Sequence, residues 1–367
     1  MKARPKLIPS SWAESPIDRR SVLLGAAAIG GFLTLHLGSV ACARGPVGSG
    51  GRLTPQAFID AFHHVNGVHR GFRRNHAKGV SVTGYFESNG NGADLSRAAV
   101  FRPGRTKLVG RFSLPGGNPT VADTAGANRG LALVFGYPES GQWRTAMLNI
   151  PVFTVNSPQG FYDQLLASKP VADTGKPDPE AMAQFLAAHP ETARATKVIK
   201  AQPPTSGFAD STYRGLNAFL FANAAGDVTP VRWSLVPMQP IGTAATSGAG
   251  PNWMFDDLIT AIRQNPLRWR LMLTVAEPQD DLTDATVAWP PERRVVDAGT
   301  VVLDAVERER RGNARDINFD PLVLPDGIAP SDDPLLTARS AVYAASFRRR
   351  AGESTGTPAV ETGAVSR

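Results

Sequence analysis

A single cysteine, Cys42, stands in 367 residues, so no intrachain disulfide can form and no cysteine-based metal cluster can assemble. Six histidines are present, yet none stands in the spacing of a zinc-binding helix, so protein side chains alone do not build a catalytic metal site. A Gly-x-Ser-x-Gly elbow, a Gly-Lys-Ser/Thr phosphate loop and a strand-following Gly-x-Gly-x-x-Gly are all missing. Any redox-active metal must therefore arrive on its own scaffold. Hydrophobic residues make up 42% and charged residues 19% of the chain, which fits a folded body and excludes a disordered one. The net charge of +7 comes from arginines scattered through the chain and partly gathered at Arg348, Arg349 and Arg350. That distribution implies a basic surface or buried arginines and no nucleic-acid partner.

Long apolar runs are also scarce, apart from one near the amino terminus. Residues 21–43 are rich in Ala, Gly, Leu and Val and follow Arg19-Arg20, the order of an export signal or a membrane anchor. The Arg19-Arg20-Ser21-Val22-Leu23-Leu24 stretch is similar to a twin-arginine signal, which carries proteins that fold before export. Ala41-Cys42-Ala43 has the form of a cleavage site, but the run is also long enough to span a bilayer uncleaved, so both outcomes stay open. The organisation expected is a cytoplasmic segment at 1–20, the signal or transmembrane segment at 21–43, a linker at 44–52, a folded domain at 53–351 and a flexible tail at 352–367. The location expected is the periplasm or cell envelope, by export or through one transmembrane helix.

In the body, Thr54-Pro55 has the form of a helix cap and first helical residue, and Phe58, Ile59, Phe62 and Val65 continue at helical spacing. From Gly79 to about Val155 the pattern changes to short β-rich runs: VSVTGYF, AAVFRP, KLVGRFSL, LALVFGY and TAMLNIPVFTV. Helical stretches return over 178–189 and 253–264, with strand-like VRWSLVPM, WRLMLTVAE and GTVVLDAV among the later segments. The mixed order with clustered hairpins predicts an α+β fold around a closed or strongly curved antiparallel sheet.

One histidine stands out. Gly71-Phe72-Arg73-Arg74-Asn75-His76-Ala77-Lys78-Gly79 leads into Val80-Ser81-Val82-Thr83-Gly84-Tyr85-Phe86, and its Arg73-x-x-His76-Ala77-Lys78-Gly79 resembles the distal motif of haem catalases. Arg111-Phe112-Ser113 with Ala122-Asp123-Thr124, Asp281-Leu282-Thr283 with Trp289-Pro290, Phe319-Asp320-Pro321 with Gly327-Ile328, and Arg339-x-x-x-Tyr343 are similar to later motifs of that family, in the same order. The resemblance runs from about Val65 to Arg350 and implies one haem domain: an antiparallel β-barrel catalase core with surrounding helices.

The resemblance also assigns roles. Tyr343 is implied as the axial iron ligand and His76 as the distal acid/base, oriented by Ser113. Arg73, Arg111 and Arg350 would neutralise the propionates of haem b, and Phe153 and Phe161 would pack near the porphyrin. Arg339 lies four residues before Tyr343, and a guanidinium one turn from a phenol favours the phenolate, lowering a pKa that starts at about 10. Without the resemblance Tyr343 reads as a core tyrosine and the phenylalanines as ordinary packing.

Two departures from the family shape the functional expectation. Aligned on Trp143 and Pro151, Leu148 stands where the family places a distal asparagine, with Asn149 one position later. A one-residue shift on a strand points a side chain to the other face. The chain also ends soon after the Tyr343 helix. Together these imply a haem peroxidase that reduces organic hydroperoxides, and hydrogen peroxide more weakly, with a small-molecule or protein electron donor. The alternatives are a true catalase, a fatty-acid hydroperoxide isomerase, and a haem-binding protein without turnover. A homodimer is the expected assembly.

Overall fold

The computed structural model describes residues 53–124, 126–136, 141–242 and 250–363; the expected segments at 1–20, 21–43 and 44–52 lie outside them. The first helix, α1 (Pro55–Asn66), is capped by Thr54, whose hydroxyl accepts from the Ala57 amide, with Pro55 at a position that needs no donor. Its apolar stripe buries Phe58, Ile59 and Phe62.

Alternating side chains then build a meander of β1 (Gly79–Ser88), β2 (Gly104–Ser113), β3 (Gly130–Phe135) and β4 (Trp143–Leu148). After helices α2 (Pro158–Ala167), α3 (Pro179–Ala188) and α4 (Pro190–Lys200) come β5 (Tyr213–Arg214), β6 (Phe219–Ala222) and β7 (Val228–Pro237). Helix α5 (Trp253–Gln264), strands β8 (Leu267–Val275), β9 (Val295–Glu307) and β10 (Ile328–Pro330), and helix α6 (Pro334–Ala351) complete the order. Every pairing is antiparallel, and the sheet runs β7-β5-β4-β3-β2-β1-β9-β8 before β8 pairs back onto β7. That circuit is a closed barrel of eight strands, and β6 and β10 extend outward from β7. The expected α+β barrel is therefore the fold.

Closure removes the free edges that a curved sheet would otherwise expose. Inward-facing residues fill the barrel with aromatic rings: Trp143 stacks on Phe135 at 4.8 Å between centroids and meets Trp233 edge-on at 5.0 Å. Helix α5 closes this core with Met254, Phe255, Leu258 and Ile259.

Two expectations are corrected. The AAVFRP run is a short 3-10 turn, Ala99–Phe101, and not a strand. The TAMLNIPVFTV run leaves the sheet after Leu148, because the Asn149 side chain takes up the Arg129 amide and Pro151 has no amide to give to a ladder. Within the expected tail, Val360 is 1% exposed in the main core and Asn252 donates to the Ala359 carbonyl, while Ser354 and Thr355 are exposed. Burial of an apolar side chain and these polar ties offset the chain entropy that its composition suggested would win.

Candidate active site

The site is built on the outside of the barrel. Because side chains alternate along a strand, Val109, Arg111 and Ser113 of β2, Gly130, Ala132 and Val134 of β3, and Arg144, Ala146 and Leu148 of β4 face away from the aromatic interior. Gly130, Ala132 and Ala146 are small, so this strip can approach a flat group closely. Helix α6 lies over it. Asp333 caps α6 by accepting from the Leu335 amide, and Pro334 takes the first helical position. Tyr343 belongs to the cluster of Val109, Ala132, Val134, Ala314, Ile317 and Phe319 beside the barrel.

Residues Arg339, Tyr343, Ser346 and Arg350 recur at helical spacing along one stripe of α6. Arg339 donates to Asn217 Oδ1 at 2.6 Å and to the Ala146 carbonyl at 3.2 Å. Asn217 in turn donates to Asp333 at 2.7 Å, which ties the helix cap to the guanidinium. Arg339 is thus locked beside the Tyr343 turn by a buried network, with its fork spent on Asn217 and the strand.

His76 sits on the loop between α1 and β1. Its Nδ1 is 3.0 Å from Ser113 Oγ, the expected partner. Gly130 makes room for the ring, since a Cβ there would stand 3.0 Å from His76 Cε1 and 3.0 Å from Ser113 Oγ. Burial first, then the charges of Arg111, Arg73 and Arg339, push the imidazole pKa down to about 3. His76 is accordingly neutral and free to accept a proton at neutral pH.

Across the ladder, Gly130 pairs with Leu148 in an unbroken β3–β4 register. Opposed residues share a face, so Leu148 lies on the His76 side of the strip. Asn149 is turned elsewhere, its Oδ1 accepting the Arg129 amide at 2.7 Å. No bulge restores an amide to the Leu148 position.

Arg73, Arg111 and Arg350 come together around Glu309. Arg111 forks onto Glu309 at 2.8 Å through both Nε and Nη2. Arg73 donates to the carbonyls of Ala314, Arg315 and Ile317, and Arg350 to that of Arg315. Burial raises the Glu309 pKa, but Arg111 leads the opposing charges and holds the carboxyl below its usual range. Burial, then Arg350 and Arg111, drive the Arg73 pKa well down. One carboxylate among three guanidiniums leaves cationic surplus, and Arg73 Nε is buried without a hydrogen-bond partner among the described residues. A ligand with two carboxylates matches that surplus, so the chemistry here fits haem.

Phe153 and Phe161 stack on each other at 6.0 Å between centroids, and Phe161 also meets Phe58 and Phe62 of α1. They form a satellite cluster with Val155, Ala167 and Phe185, so ordinary packing occupies much of their surface.

Other recognised motifs turn out to be structural. Lys78 and Asp123 form a buried ion pair at 2.6 Å, and Asp123 also accepts from the Met254 amide at the start of α5. Asp281 closes a turn on Thr283, while Trp289 donates back to the Asp281 carbonyl at 2.9 Å. Sequence reasoning missed Gly130, Asn217 and Glu309. Glu309 stands in an arginine-rich stretch where nothing marks it, and Asn217 acts only through residues distant in the chain.

A closed antiparallel barrel with a histidine on its outer face, a tyrosine helix over it and a cluster of arginines around Glu309 fits a haem-dependent oxidoreductase. The chain belongs to the catalase family, whose model, described as Catalase, matches residues 44–360. It is 40% identical over 302 residues to a catalase-related peroxidase of Synechococcus elongatus, an alignment covering 81% of this chain and 89% of that one. It is 32% identical over 313 residues to a catalase-related peroxidase of Mycolicibacterium paratuberculosis, covering 84% of this chain and 98% of the relative. Among solved structures, catalase A from Saccharomyces cerevisiae superposes with a TM-score of 0.69 at 25% identity, over 83% of this chain and 67% of that chain.

Proposed function

We propose that this protein is a haem b peroxidase that reduces organic hydroperoxides in preference to hydrogen peroxide, with weak catalase turnover. The observation that carries this reading is Leu148, an apolar side chain on the His76 side of the strip where an amide would serve a second molecule of hydrogen peroxide. Tyr343 would hold the haem iron through its phenol oxygen, and the haem would supply the redox chemistry for O–O cleavage. Arg73, Arg111 and Arg350 bind the two propionates.

The protein's own groups handle the proton. With Nδ1 committed to Ser113, His76 Nε2 takes the proton from the near oxygen of the hydroperoxide and gives it to the leaving oxygen. The neutral imidazole set by burial and by Arg111 suits that first transfer. The overall balance is one hydroperoxide, two electrons and two protons to one alcohol and one water, the electrons coming from a small-molecule or protein donor. Residues 21–43 would place the reaction in the cell envelope.

The test compares cumene hydroperoxide with hydrogen peroxide, each with a dye donor, and follows oxygen release from hydrogen peroxide alone. Faster donor oxidation with the organic substrate and little oxygen is expected. Vigorous oxygen release without a donor means a true catalase instead.

A further inference from the structure

His76 has a backbone φ of 58°, and among the described residues Leu216 is the only other non-glycine with a positive φ. The left-handed conformation is unfavourable for an L-residue and persists where its surroundings over-determine it. The surroundings of His76 do so. Asn75 Oδ1 accepts the His76 amide at 3.0 Å and the Gly116 amide at 2.8 Å. The Gly116 carbonyl accepts the Ala77 amide at 2.9 Å. Arg111 donates to the His76 carbonyl at 2.7 Å and to the Ala77 carbonyl at 3.1 Å.

We propose that Asn75 is a positioning residue for proton transfer, its side-chain oxygen locking the left-handed turn that aims the His76 imidazole at the substrate. This rests on His76 being the proton-transfer group. One oxygen does two things here. It satisfies the amide of the strained residue itself, and it ties that residue to the loop that follows β2. That loop begins just after Ser113, which holds the same imidazole by Nδ1, so Asn75 fixes the backbone end of the unit whose ring end Ser113 fixes.

The chemistry required is narrow. The position needs an sp² oxygen with two lone pairs, which an amide or a carboxylate supplies and an alkyl side chain does not. Without it, the His76 and Gly116 amides lose their acceptor and the turn is free to relax toward an ordinary φ. A shift of about 1 Å at a reacting group is enough to lower a rate by roughly a hundredfold. Haem binding, by contrast, is carried by residues other than Asn75.

The test uses the haem-loaded full chain with Asn75→Ala, Asn75→Asp and His76→Ala, and measures haem stoichiometry, the thermal midpoint, and kcat/KM separately for peroxide and for the dye donor. In Asn75→Ala the peroxide kcat/KM is expected to fall about a hundredfold with haem content and donor kcat/KM unchanged. In Asn75→Asp, which keeps the acceptor, most of the peroxide rate is expected to remain. The proposal is overturned if Asn75→Ala keeps the wild-type peroxide kcat/KM while His76→Ala loses it, or if Asn75→Asp falls as far as Asn75→Ala at equal haem content. A fully active His76→Ala enzyme removes the assignment of His76, and with it this role of Asn75.

Discussion

Gly130 and Leu148 are direct partners across the β3–β4 ladder, and the place where a Gly130 Cβ would stand is 3.0 Å from the His76 ring. The histidine therefore rests on a glycine chosen for close approach, and the neighbouring strand position that shares its face is apolar.

Leu148→Asn should shift the reaction toward hydrogen peroxide. One added hydrogen bond of about 1–1.5 kcal/mol in the transition state corresponds to roughly tenfold in rate. Oxygen release from hydrogen peroxide alone is expected to rise by that factor, with the preference for cumene hydroperoxide reduced. An oxygen electrode trace identical to wild type would remove Leu148 from the specificity argument.

Gly130→Ala should displace the imidazole, because the new methyl meets both His76 and Ser113 at contact distances tighter than ordinary packing. An overpacking cost of about 1–3 kcal/mol is expected in the thermal midpoint. Peroxide kcat/KM is expected to fall while haem binding persists; unchanged kinetics would show that the ring has room to move without consequence.

His76 also sets a pH dependence. Its pKa is about 3 in the folded chain, pushed down by burial and then by Arg111, Arg73 and Arg339, against an ordinary value of 6.5. Between those values the unfolded chain binds more protons than the folded one, so this group's contribution is present above pH 6.5 and is lost as pH falls toward 3. Peroxide kcat/KM is expected to hold well below pH 6.5. An acid limb centred near 6.5 would mean that the imidazole is solvated in the working enzyme.

The carboxy-terminal strap should stabilise the distal loop. Glu353 pairs with Arg74, which is only 3% exposed, and accepts the Gly71 amide at 2.7 Å. Gly71 has φ 77°, and a Cβ on it would strike the strap's Ser354 carbonyl. Glu353→Ala leaves a buried guanidinium without its carboxylate, for which a loss of roughly 3–5 kcal/mol in urea denaturation is expected. A loss below about 1 kcal/mol, the value of a surface pair, would show that solvent already screens it.

Much of the framework was legible because it is local. Thr54-Pro55 opens a helix by capping chemistry that involves neighbours only, and the apolar–polar alternation of Val80-Ser81-Val82-Thr83 reports the strand β1. Helices α2 and α4 are not legible in the sequence, because the residues they bury are few and small or polar: Gly160 and Ala167 in α2, Glu191, Thr192 and Ala195 in α4. The Val360 anchor is hidden for a related reason: the small polar residues around it say nothing of the single valine that the core receives.

By itself, the sequence determined the family, the α+β class and the residue types of the site, with His76, Ser113, Arg339 and Tyr343 each carried by a short motif. Only the tertiary structure decided what surrounds them. The Glu309 pairing joins residues 198 positions apart, and the contact of Asn75 with Gly116 spans 41 positions. Barrel closure and the docking of α6 are long-range events, and they alone gather scattered arginines around Glu309 and push the His76 pKa down to about 3.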